Sequence, residues 1–319
     1  MSVAACLVLY TFVIAVLGPR LLLRLTHAGV APRLGVATWL AAIGSVAASW
    51  VVAAGFLAAE LLQDWNRPGQ IASACFAALR FVASGGSGLV LQIVLLTLTA
   101  SAIAALASLA WRLAQSLTHA RTHTHRHARH ARIVGRRVAG LDAVVLDAPE
   151  RAAYCVAGRP HTIVVTSATL DALDEDHLGA VLAHERAHLA GHHHQILAVT
   201  RALATALPRV ELFTTGAAEI ARLLEMCADD TAARSHSPGT LLGALLALSG
   251  CAPLPRGALG ATGVDVLARA ERLVTPTPRR DRLRTRLLLS AAALLVVGGP
   301  LLTGVLALSG LALCNPAAS

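Results

Sequence analysis

Four stretches of this chain run for at least 18 residues without a charged side chain: Met1 to Gly18, Leu34 to Ala59, Phe81 to Trp111 and Leu287 to Ser319. A helix that crosses a bilayer needs about 20 mostly apolar residues. Each stretch supplies them, so the chain reads as a membrane protein, with spans expected at about 1–18, 34–59 and 85–111 and a fourth within 287–319. The apolar part of the fourth ends near Leu313. Composition agrees: 55% of residues are hydrophobic and 14% are charged, against roughly 25% charged in soluble domains. The first run has no basic segment before it, and Pro19 and Arg20 follow it directly, which points to a retained anchor instead of a cleaved signal peptide.

Every one of the 27 basic residues is arginine, and their distribution orients the spans. Arg20, Arg24 and Arg33 follow the first run. Arg112, Arg121, Arg126, Arg129, Arg132, Arg136 and Arg137 follow the third, and Arg279, Arg280, Arg282, Arg284 and Arg286 precede the fourth. Loop 60–80 carries Arg67 and Arg80 with Glu60 and Asp64 beside them. The positive-inside bias then places the first loop and the segment 119–286 in the cytoplasm, with both termini and loop 60–80 outside. The net charge of +9 is read as orientation plus attraction to anionic membrane lipid. Aromatics are scarce and no zinc-finger spacing occurs, so direct nucleic-acid binding is not expected. Six cysteines form no CxxC pair and read as small buried thiols.

Three parts follow: a membrane domain at 1–117, a cytoplasmic domain at 118–286, and a fourth span with a short external tail at 287–319. The middle part is long enough for its own core. It opens with a His- and Arg-rich segment, 118–137, read as a solvated linker. Strand patterns follow at Ala143 to Leu146, Tyr154 to Ala157 and Thr162 to Thr166, the last two flanking the turn Gly158-Arg159-Pro160-His161. Asp174 is a candidate helix cap, with Glu175 and Asp176 expected in the first turn and Gly191 a reasonable stop. Ile196 to Leu207 and Leu241 to Leu248 are too short to span, and Thr214 to Arg234 reads as a further helix.

The capped helix contains His184-Glu185-Arg186-Ala187-His188, an HExxH pattern. Residues four apart share one helix face, so both imidazoles can bind one zinc ion. The intervening glutamate falls where it can act as general base on a water activated by the metal. A catalytic zinc needs a third protein ligand. Glu225 is the candidate, and Asp229, four residues on, is placed to fix a ligand histidine's tautomer. His192, His193 and His194 lie past the helix end and read as surface residues. His236 is an oxyanion-donor candidate, with a plain lone histidine as the simpler reading. The strand Thr162 to Thr166 is open to two readings, an edge that accepts an extended substrate or a core strand.

Taken together, "GRPHTIVVTSATL", "LAHERAHLAGH" and "EMCADD", with three spans before and one after, resemble the BlaR/MecR family of membrane zinc metallopeptidases. The resemblance covers nearly the whole chain. It implies zinc held by His184, His188 and Glu225, Glu185 as the catalytic general base, and Asp229 behind the ligands. It also implies a cytoplasmic protein substrate, commonly a transcriptional repressor. The extracellular penicillin-binding sensor domain of the β-lactam-sensing members has no counterpart in these 319 residues. HtpX-like quality-control proteases share HExxH and ExxxD and are the alternative; a non-catalytic metal-binding membrane protein is a weaker one. The expected fold is thus an α-helical membrane protein with four transmembrane helices and a cytoplasmic α+β, zincin-like HExxH metallopeptidase domain.

Overall fold

The computed structural model describes residues 3–63, 88–138, 140–156, 158, 160–248, 259–260, 266–275 and 277–308. In chain order the elements are α1 (Val3–Thr26), α2 (Pro32–Gln63), α3 (Gly88–Val134), β1 (Arg136–Arg137), β2 (Val144–Leu146), β3 (Ala153–Val156), β4 (Thr162–Thr166), α4 (Ser167–Ala172), α5 (Glu175–Ala190), α6 (His193–Ala206), α7 (Glu211–Ala232), α8 (Pro238–Leu248), β5 (Leu259–Gly260), α9 (Val266–Val274) and α10 (Arg279–Leu308). Residues 64–80 of the expected external loop, the start of the third expected span and the tail after 308 lie outside the described residues. The chain divides into two compact units. One comprises Met1–Leu22, Ala37–Arg112 and Ser290–Ser319; the other comprises Leu23–Val36 and Leu113–Leu289.

Four helices among the described residues are long and apolar enough to cross a membrane, at Cys6–Thr26, Pro32–Phe56, Leu96–Val134 and Arg279–Thr303. Their outward faces carry large apolar side chains such as Phe12, Val51, Leu98 and Leu294, as lipid contact requires. The Tyr10 hydroxyl donates to the Val296 carbonyl at 2.6 Å and lies 2.7 Å from Ser45 Oγ, linking α1, α2 and α10.

The helices outrun the sequence expectation at three points. α1 continues through Pro19 and Arg20 to Thr26. α10 begins at Arg279, ahead of the expected start at 287. The segment 118–137, expected as a solvated linker, is helical as far as Val134. Low complexity hid a helix there, because alanine and arginine are both strong helix formers. The threonine hydroxyls fold back onto the helix, Thr122 to the Thr118 carbonyl and Thr124 to that of Ala120.

The second unit is built on a five-stranded sheet in the order β1-β2-β4-β3-β5. β3 and β4 form the expected hairpin, antiparallel with Cys155 opposite Ile163 and Tyr154 opposite Val164. β2 runs parallel to β4, with Val145 opposite Val165. β4 therefore has neighbours on both sides and is fully buried. The reading of Thr162 to Thr166 as a substrate-accepting edge is overturned. An all-apolar centre, Ile163-Val164-Val165, suits a two-sided core strand better than a half-exposed one. The last turns of α3 close one side of the sheet, where Ala128 and Ala131 pack on Tyr154, Val156 and Val164.

α5 starts where the sequence places it. The Asp174 carboxylate accepts from the His177 amide at 2.9 Å, and Gly191 ends the helix. α5 packs against β3 and β4 on one side and against α7 and α8 on others. α7 buries Leu212, Phe213, Ile220, Leu223, Leu224 and Met226 along one stripe. It is fastened to the α1–α2 turn as well. Thr26 Oγ1 donates to Glu219 at 2.6 Å, and Arg222 donates to both Glu219 and the Thr26 carbonyl. α6 is 14 residues long with Leu197, Thr200 and Ala202 buried, so it packs within the unit and does not span.

Candidate metal centre

Two helices bring the acid and imidazole groups together. His184, Glu185 and His188 come from the middle of α5, and Glu225 and Asp229 from α7, packed against it. His184, His188 and Glu225 each present one ligand atom, all within 4.8 Å of one another, and all three side chains are buried. The Nε2 atoms of His184 and His188 are 3.1 Å apart. Glu225 Oε2 is 3.4 Å from the first and Oε1 is 3.5 Å from the second.

These separations suit a tetrahedral ion. Ligand atoms at about 2.0–2.1 Å from zinc, at tetrahedral angles, lie roughly 3.3–3.4 Å from one another. Two imidazole nitrogens facing each other at that range repel unless a proton or a cation lies between them. Both oxygens of Glu185 are buried with only the Cys155 thiol beside them, and Glu225 Oε2 makes no hydrogen bond among the described residues, its nearest charged neighbours standing 3.4 Å away. Buried carboxylates left so are costly, and a divalent cation compensates them. The residues present therefore fit a metal ion, and the mixed nitrogen and oxygen donor set suits zinc.

The surroundings fix the donors. Asp229 Oδ1 is 3.0 Å from His184 Nδ1. That same carboxylate is gripped by Arg269 of α9, with Nε to Oδ2 at 2.8 Å and Nη2 to Oδ1 at 2.6 Å. Arg269 Nη1 also lies 3.4 Å from Glu225 Oε2. Arg269 and Asp229 are both 0% exposed. On the other side, His193 Nδ1 is 2.8 Å from His188 Nδ1, so one donates and the other accepts. Gly191 makes room for this ring, since a Cβ there would meet His193 Nε2 at 2.4 Å.

Electrostatics follow from burial and these partners. For Glu185, burial is the main cause of a carboxyl pushed up to about 8, with the Glu225 charge adding to it and His184 opposing. Burial disfavours the charged form of His184, yet contacts with Asp229 and Glu225 outweigh it and raise the imidazole to about 9. Burial likewise opposes ionisation of Asp229, but Arg269 and His184 hold it down at about 2. The Cys155 thiol of β3 is driven well above its ordinary range, first by burial and then by the charge of Glu185. It is an inert neutral group on the wall beside Glu185.

Sequence reasoning named five of these residues and missed three. Arg269 lies 40 positions beyond Asp229, on a short helix with no motif to single it out. Cys155 is buried, as the sequence suggests, but its place beside Glu185 carries no sequence signal. His193 is a correction: expected at the surface, it is buried against His188. The cause is local. His192 adopts the left-handed conformation, φ 51 and ψ 31, between α5 and α6, which breaks the helical phase on which the expectation rested. His236 rests against Gly179. Gly179 is five residues before His184, about 140° around the helix, so His236 is not on the face that carries the ligand histidines.

These features make a buried candidate metal centre, with HExxH on one helix and a glutamate on a second. Residues 116–231 match the sequence model of peptidase family M48, a metallopeptidase family. The matched segment is about a third of the chain and includes His184, Glu185, His188, Glu225 and Asp229, but not Arg269. No curated protein and no solved structure matches the chain. The M48 match supports a metallopeptidase; it does not extend to the BlaR/MecR resemblance.

Proposed function

We propose that the protein is a membrane-embedded, zinc-dependent endopeptidase that hydrolyses a cytoplasmic protein. The observation that carries this reading is the pair of Nε2 atoms and the Glu225 carboxylate converging within 4.8 Å, beside the fully buried Glu185 carboxyl, which among the described residues has only the Cys155 thiol for company. His184, His188 and Glu225 would hold the ion. Zinc in that position supplies an acidified water and polarises a peptide carbonyl.

The chain's own residues do the rest. Glu185 takes the proton from the attacking water and returns it to the leaving amine. Its carboxylate lies beside the ligand set, placed to carry that proton from water to amine. Asp229 holds His184 through Nδ1, His193 holds His188 through its own Nδ1, and Arg269 keeps Asp229 and Glu225 ionised. Orientation follows the arginine distribution, with the peptidase unit in the cytoplasm and both termini outside. A transcriptional repressor as substrate rests on the BlaR/MecR resemblance. The test is proteolysis of cytoplasmic proteins in membranes carrying wild type or Glu185→Gln. Products present with wild type and missing with the variant support the reading; identical products from both refute it.

A further inference from the structure

The end of α3 and the strand after it carry three features that the peptidase unit leaves unsatisfied. Ile133 and Val134 are 74% and 79% exposed, large apolar side chains standing in water at the last turn of the helix. β1 is an edge strand. It pairs with β2 on one side, Arg136 opposite Val145 and Arg137 opposite Val144, and no strand takes its other side among the described residues. Arg126, Arg129, Arg136 and Arg137 are exposed, and no ion pair among the described residues involves any of them. We propose that this junction is a docking surface for an extended acidic and apolar segment of the protein substrate, added to β1 as a further strand, a role that rests on the peptidase reading above.

Charge sets the sign of the partner. No aspartate or glutamate occurs between Asp64 and Asp142, and Asp142 faces Arg186 at 3.5 Å. Arg136 and Arg137 are consecutive in a strand, so their side chains point to opposite faces, and an added strand meets a cation on either side. Arginine on a bare edge also serves to keep other chains off. Two large apolar side chains left in water next to it invite contact instead.

The backbone chooses among anionic partners. Lipid would answer the arginines and the apolar pair, but it lacks the alternating donors and acceptors that a strand edge takes. α3 is 47 residues long, about 70 Å at about 1.5 Å per residue, against about 30 Å of hydrocarbon, so its Arg-rich last turns stand outside a bilayer core. A nucleic acid would bring phosphates, yet no aromatic side chain lies between Trp111 and Tyr154 to stack its bases. An extended peptide answers all three features, with main-chain hydrogen bonds to β1, acids to the arginines and apolar side chains on Ile133 and Val134.

The surface is held in shape by its own contacts. Arg132 Nη1 donates to the Pro160 carbonyl at 3.1 Å, tying the helix end to the β3–β4 turn. Gly135 lets the chain close against β2, since a Cβ there would run into Val144 Cγ1. Tyr154 and Val156 meet α3, while Cys155 between them lies beside Glu185, so the docking surface and the metal centre share one sheet.

The test uses the full chain carrying Glu185→Gln, in nanodiscs of neutral lipid, so that nothing is cut. The probe is a dye-labelled peptide of alternating glutamate and valine, followed by fluorescence anisotropy. It is expected to bind, more weakly as salt rises. Arg136→Glu with Arg137→Glu, and Ile133→Ser with Val134→Ser, should each weaken it at least tenfold. Arg279→Glu with Arg280→Glu, exposed arginines of α10, should leave it within twofold of the parent. All six positions are exposed, so the melting temperature should hold in every variant. The proposal is overturned if the peptide does not bind, if both site variants bind it as the parent does, or if the α10 variant loses it as well. It is equally overturned if anionic lipid in the nanodisc abolishes binding, if a single-stranded oligonucleotide binds the same residues more tightly, or if the site variants only break a dimer of the chain. Zinc content of the same samples, and cleavage by the chain with Glu185 intact, report on the metal centre, so failure of one reading is distinguishable from failure of the other.

Discussion

Arg269→Met would leave the carboxylates of Asp229 and Glu225 in a dry interior without the cation that faces them. The arginine makes two short bonds to Asp229 and a longer contact to Glu225, and it is 0% exposed. Removing one partner of a buried pair destabilises by roughly 3–5 kcal/mol, because the remaining charge stays buried and uncompensated. At roughly 2–4 °C per kcal/mol for a unit of this size, the melting temperature should fall by about 6–20 °C. Arg269→Lys should recover only part of the loss, since an ammonium cannot reproduce the two-pronged grip. Arg272 pairs with the partly exposed Asp230 from the same helix, and Arg272→Met should cost about 1 kcal/mol or less. The assay is thermal unfolding of metal-free protein in one detergent. A shift for Arg269→Met no larger than that for Arg272→Met would refute the view that Arg269 anchors the acidic side of the site.

The remaining expectations concern the ligands' supports and proton linkage. His193→Ala removes the partner of His188 Nδ1 and should weaken zinc retention about 10–100-fold. Gly191→Ala should act in the same direction, because its Cβ displaces the His193 ring; zinc competition with a chelator reads both. In metal-free protein, folded His184 is raised from 6.5 to about 9 and Glu185 from 4.5 to about 8. Each binds more protons folded than unfolded between its two values. Stability from Glu185 is therefore present below about 4.5 and lost through about 8, and that from His184 is present below about 6.5 and lost through about 9. The melting temperature should fall over that range, and Glu185→Gln should flatten its lower part. Zinc uptake must displace the His184 proton, so apparent affinity should rise with pH up to about 9. Asp174→Ala removes the cap of α5 and should lower the melting temperature, read by thermal unfolding.

Local patterns in the sequence were the reliable ones. The capped HExxH helix, the β3–β4 hairpin and the four-residue spacing of Glu225 and Asp229 depend on nearby residues, and each is legible from periodicity and turn chemistry. What periodicity does not carry is assembly. Nothing in Val266–Val274 says that Arg269 will reach Asp229, since that contact depends on how α9 packs. The strand order that puts β4 in the centre is set by the parallel pairing with β2, a long-range choice. The burial of His193 escapes helical periodicity because the left-handed His192 resets the phase. The composition of 118–137 suggests a linker, while its alanines and arginines favour a helix.

Zinc retention by the His184, His188 and Glu225 set tests the central claim most directly. Wild type, Glu225→Ala and Glu185→Gln would be dialysed in parallel against the same low free zinc and their bound metal counted. The structure predicts that Glu225→Ala loses the tightest equivalent, because one of three converging ligand atoms is gone, while Glu185→Gln keeps it and stops cleaving. A Glu225→Ala protein that holds that equivalent as tightly as wild type would contradict the site as described.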